Sequence, residues 1–94
     1  MKYLFVRWKH PNPEDPTLLY SELNEDRWEV RKVEIYADGR LGYADNDKEL
    51  KKTRLGLEPV PALSEIAKNP EFEPEEITRE EFERIWTKAV ETGA

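Results

Sequence analysis

A chain of 94 residues with 37% hydrophobic and 38% charged side chains suits one modest domain over residues 1–94, since chains of this size bury only about 60–65% of the surface that their unfolded state exposes. Three Trp, four Tyr and three Phe supply enough apolar surface to separate it from disordered sequences of similar charge. The lack of cysteine excludes a disulfide framework, a thiol nucleophile and a cysteine-based metal site, and no apolar run fits a signal peptide or a membrane span, so a cytoplasmic protein with no membrane partner is expected.

Taken in order, "KYLFVRWK" reads as a first strand over residues 2–9, with Leu4, Val6 and Trp8 on one parity and Tyr3, Phe5, Arg7 and Lys9 on the other. The "HPNPEDP" loop holds three prolines and breaks any ladder. Residues 17–24 and 28–36 give the second and third strands. Asp38–Gly39 supplies the positive φ of a hairpin turn into a fourth strand over 41–45. The apolar residues of the third strand change phase, from Trp28 and Val30 to Val33 and Ile35, which a bulge near Arg31–Lys32 would accommodate.

A polar loop follows, with a short strand expected around Thr53–Leu55. Prolines then bound a short helix over residues 62–68, and "EFEPEEI" is extended. The last helix, over 78–91, is the clearest element. Thr78 and Glu81 have capping-box spacing, and Ile77 with Phe82 can staple its start. Phe82, Ile85, Trp86, Ala89 and Val90 form one apolar stripe. The expected fold is α+β: a four-stranded antiparallel meander with the C-terminal helix on one face. Leu4, Val6, Trp8, Leu19, Leu23, Val33 and Ile35 are expected under that helix. The opposite parity, with Tyr3, Phe5, Tyr20, Trp28, Val30 and Tyr36, is expected under the Leu55–Ile66 segment or a partner.

Little in the sequence points to catalysis. His10 is the one histidine, and an enzymatic reading would need it to work with a neighbouring acid. Asp45–Leu50 lacks the glycine and terminal acid of a calcium loop. Ser21 and Ser64 lie outside any nucleophile elbow, and the glycines form no phosphate loop. No metal or cofactor is expected.

Charge is unevenly spread. Residues 1–57 hold 11 basic and 11 acidic side chains, whereas 58–94 hold 4 basic and 10 acidic, which accounts for the whole net charge of −6. An acidic half disfavours general phosphate binding and suits a basic protein partner. Glu75, Glu76 and Glu80 are its candidate contacts. The alternative is a single-stranded nucleic acid or nucleotide on a basic–aromatic sheet face, for which Arg7, His10, Tyr20, Trp28, Arg31, Tyr36, Arg40 and Tyr43 are the candidates.

The blocks "LLYSELNEDRWEVRKVEIYADGRLGYAD", "TRLGLEPVP" and "FEPEEITREEFERIW" together resemble a family of short, uncharacterised bacterial domains of about 90 residues. The resemblance runs over nearly the whole chain. It implies a fold unit rather than a chemistry, and its bacterial setting implies an immunity-like or accessory protein that binds another protein.

Overall fold

The computed structural model describes residues 1–46, 49–50 and 53–93. Its described strands are β1 (Lys2–Trp8), β2 (Leu18–Leu23), β3 (Glu29–Ile35), β4 (Leu41–Asp45), β5 (Glu49–Leu50) and β6 (Phe72–Ile77); its helices are α1 (Leu63–Ile66) and α2 (Arg79–Gly93). The strands form one antiparallel sheet in the order β5-β4-β3-β2-β1-β6. The four-stranded meander is therefore the centre of a larger sheet. The extended "EFEPEEI" segment returns beside β1, and Lys9 N–H donates to Glu71 O at 2.7 Å just beyond their ladder.

Cross-sheet rows define the faces. Glu75, Phe5, Tyr20, Val33 and Tyr43 stand opposite one another in turn, as do Ile77, Tyr3, Glu22, Arg31 and Asp45. α2 packs on this face. Ala89 joins Val33, Leu41 and Tyr43 in the core, flanked by Ile85, Trp86 and Val90. Phe82 is fully buried, with its ring 5.4 Å from that of Tyr3. Burying such a side chain contributes about 2–3 kcal/mol. Glu81 N–H donates to Thr78 Oγ1 at 3.1 Å, so the cap forms; the Glu81 carboxylate accepts from the Thr78 hydroxyl at 3.2 Å.

The expected face assignment is thus reversed for β1 and β2. Tyr3, Phe5 and Tyr20 join Val33 and Ile35 on the α2 side, while Leu4, Val6 and Leu19 look the other way. Both parities of β1 are apolar because both faces of the sheet are covered, and alternation then carries no sign. The second face lies under a strap running from Leu55 to Asn69 and including α1. A bulge is present, but at Val30: Glu22 pairs with Arg31 and Leu23 with Glu29, leaving Val30 as the extra residue. It places Glu29, not Trp28, over the second face.

Two smaller expectations also change. The short helix is a single turn, Leu63–Ile66, because Ala62 at its start gives no side-chain cap. The short strand falls at Glu49–Leu50 rather than Thr53–Leu55. Residues 47, 48, 51 and 52 of the polar loop lie outside the described residues.

Candidate functional site

α2 lies mainly over β3 and β4, with Phe82 reaching Tyr3 of β1, and covers the rest of the β1–β2 surface on its face only in part. There Phe5 and Tyr20, paired across β1 and β2, stand half-buried with ring centroids 4.9 Å apart. A groove of about 310 Å³ runs between Tyr20 and the Glu81, Arg84, Ile85 and Lys88 side of α2. Beyond Phe5 on the same face lies β6, where Glu75 stands opposite Phe5 and Glu73 opposite Arg7. Tilted aromatic pairs gain from ring quadrupoles in addition to burial, and leaving one beside a groove keeps that surface for contact.

The electrostatics of the groove are mixed. Arg7 Nε and Lys9 Nζ reach Glu73 at 3.6 and 3.5 Å. Among the described residues Glu75 and Glu80 are exposed and make no ion pair or side-chain hydrogen bond, while Arg84 and Lys88 set two cations on the helix wall of the groove. Burial raises the Tyr20 hydroxyl above its ordinary pKa; Arg7 works against the rise while Glu81 and Glu75 add to it. The phenol is therefore neutral at physiological pH and available as a hydrogen-bond donor.

Arg7, Tyr20 and Glu75 thus come together, whereas Glu80 is exposed on the side of α2 turned away from the buried Phe82 stripe. Other candidates lie apart. Glu76 projects to the second face, 3.9 Å from Lys2. His10 packs on Trp8 with centroids 4.3 Å apart; its Nε2 lies 2.8 Å from Pro16 O, and its Nδ1 accepts from Asn12 N–H at 3.1 Å. Those partners assign the Nε2–H tautomer and tie the ring into the proline loop. Arg40 sits over the Tyr36 ring at 4.9 Å, at the β3–β4 hairpin. Trp28 is exposed near the bulge.

Two candidates belong to the interior. Tyr43 is 3% exposed and meets Trp86 edge-on at 5.3 Å. Arg31 donates from Nε and Nη2 to Glu22 at 2.6 and 3.0 Å and lies over Phe82 and Trp86. Its bonds to Glu22 and then Glu83 raise its pKa further, so it is a permanent internal cation. Phe5 was not singled out from sequence as a contact. Its signal was the apolar content of both parities in β1.

Among the described residues no three His, Asp or Glu side chains converge for a metal ion. No described helix is long and apolar enough to cross a membrane. A family model described as a domain of unknown function, DUF6881, matches residues 2–91. The chain belongs to that family. The DUF6881 match runs from β1 into the last turn of α2 and so includes every residue of the groove. Comparisons with curated proteins and with solved structures found no match.

Proposed function

We propose that this DUF6881 chain is a protein-binding module that seats a segment of a partner in the groove between α2 and Tyr20, with the basic residues of that segment turned toward Glu75 on β6 and away from Arg84 and Lys88 on the helix wall. One observation carries the reading: the half-buried Phe5–Tyr20 pair lies beside Glu75, an exposed acid with no ion pair or side-chain hydrogen bond among the described residues. An aromatic floor with a polar rim is the anatomy of a contact centre. Lysine or arginine from the partner would pair with Glu75, speeding encounter and selecting against acidic surfaces. The finer reading is an immunity-like or accessory protein of the cytoplasm whose acidic half masks a basic surface.

The nucleic-acid alternative draws less support. Arg31 is committed to two carboxylates and Tyr43 is buried, which divides the basic–aromatic set.

The test is capture from a lysate of the source cells with the tagged chain, beside Tyr20→Ser and Glu75→Lys, with Glu58→Lys as a distant control. The expected result is a protein held by the parent and by Glu58→Lys, lost from the other two, and released as salt rises. Capture that ignores Tyr20 and Glu75, or no captured protein at any salt, overturns the reading.

A further inference from the structure

The second face of the sheet holds a different kind of site, independent of the groove. Between it and the strap lies a cleft of about 350 Å³, at the small end of the roughly 300–1,000 Å³ of ligand pockets. Its walls are apolar: Leu4, Val6, Leu19 and Phe72 from the sheet, Val60 and Ile66 from the strap. Glu65 and Asn69 line it from the strap, and three further polar side chains, Ser21, Glu29 and Lys32, from the sheet. They lie on neighbouring strands: Lys32 is opposite Ser21, and the bulge at Val30 brings Glu29 to the same face.

The polar group is assembled with care. The Glu29 side chain is 6% exposed, and its Oε2 accepts from the Ser21 hydroxyl at 2.8 Å. Its Oε1 accepts from Lys32 Nζ at 2.9 Å and from Gly56 N–H at 2.6 Å. A Cβ at position 56 would lie 2.9 Å from that oxygen, so any side chain there would push the Glu29 carboxylate aside. Lys32 Nζ also donates to Arg54 O at 3.1 Å.

An ammonium has three protons and a carboxylate about four lone-pair sites. Two donors of Lys32 are used, and Oε2 of Glu29 has taken one proton donor. One donor and one acceptor therefore remain side by side in an apolar cleft. The pair has already neutralised itself. An added anion would face Glu29 and the exposed Glu65, which also lines the cleft, and an added cation would face Lys32, each at a desolvation cost.

We infer that this cleft is a binding site for a small, uncharged molecule with a ring-sized apolar body and a terminal carboxamide. The amide oxygen accepts from Lys32 Nζ, and the amide nitrogen donates to Glu29 Oε2. The apolar body lies between Leu19 and Ile66.

The probe is benzamide, with benzoate and benzylamine as charged analogues of similar shape, followed by methyl NMR on the full chain. Benzamide should shift the methyls of Leu4, Val6, Leu19 and Ile66 saturably, with a Kd of about 1 mM as expected for so few atoms. Benzoate and benzylamine should bind at least about fivefold more weakly, given the penalty on unpaired charge. Lys32→Met should weaken benzamide by a similar factor. Since that change also leaves Glu29 short of a partner, Ile66→Phe provides a second test by filling the cleft from the strap, and it should abolish the shifts. Equal binding of either charged analogue, shifts that survive Ile66→Phe, or no saturable shift of these methyls overturns the assignment.

Discussion

Arg31 and Glu83, 52 positions apart in the chain, meet fork to fork: Nη1 reaches Oε1 at 2.9 Å and Nη2 reaches Oε2 at 2.8 Å. The same guanidinium holds Glu22 from β2. One cation therefore joins two strands and α2, with its flat face against Phe82 and Trp86. Removing one member of such a cluster leaves charges stranded. Arg31→Met, which keeps the apolar stem, should cost about 3 kcal/mol in urea unfolding. Adding Glu22→Gln should cost much less than the sum, because the two share one interaction. Strict additivity would show that the cluster contributes no coupling.

The cluster also sets an acid limit. Arg31's hydrogen bond holds Glu22 below the usual carboxylate range, and it does the same for Glu83. The unfolded state then takes up protons first, from about pH 4.3 downward, so this stabilisation is present above that value and is lost as pH falls through the folded-state values. Glu34 acts in the opposite sense. Burial raises its pKa, so its ionisation opposes folding as pH rises from the unfolded value through the folded one. In urea titrations between pH 3 and 7, the stability gap between the parent and Glu22→Gln should close below about pH 4. A gap of constant size would assign the Glu22 effect to packing.

What could be read from the sequence follows from how locally each feature is encoded. α2 needs only its own cap and stripe, and the Asp38–Gly39 turn, with Gly39 at φ 91°, needs only its own backbone. The faces of β1 and β2 were not legible because Leu4 and Val6 meet the strap while Tyr3 and Phe5 meet the other layer. Arg31 looked like a surface cation because its partners come from β2 and from α2. β6 was read only as extended, since four of its neighbours or members are Glu and its centre is proline. The Ser21–Glu29–Lys32 group depends on the bulge at Val30, whose position no periodicity marks.

The strap hangs from Arg27. Its Nε and Nη2 each donate at 2.7 Å, to Val60 O and Pro61 O, and its own carbonyl accepts from Val60 N–H at 2.8 Å. Its φ of 66° is unusual for a side chain of this size. Arg27→Ala removes both side-chain bonds but keeps the backbone bond. Each hydrogen bond is worth about 1 kcal/mol net, so the Val60 amide should exchange with solvent about tenfold faster or more. Amides of β3 and β4 should be unchanged. Equal acceleration there would mean that Arg27 acts on global stability instead of on the strap.

β6 is an edge strand that resists extension, and Pro74 is the reason. Antiparallel pairs alternate between bonded and non-bonded positions. The bond from Lys9 N–H to Glu71 O fixes the phase, so Glu73, Glu75 and Ile77 bond inward to β1, while Phe72, Pro74 and Glu76 point outward. Phe72 N–H is already bound to Asn69 O, and Pro74 has no N–H to offer. Only Glu76 presents an outward donor, beside a row of acids. Proline and charge on an edge are the usual defences against pairing with another chain. Pro74→Val restores a donor at the middle of the edge and raises strand propensity. It should leave the unfolding midpoint within about 0.5 kcal/mol of the parent but promote self-association, visible in sedimentation as a concentration-dependent dimer. Combining it with Glu76→Thr should strengthen that dimer, because the remaining outward charge is gone. A monomeric double variant at high concentration would mean that something other than Pro74 and Glu76 closes this edge.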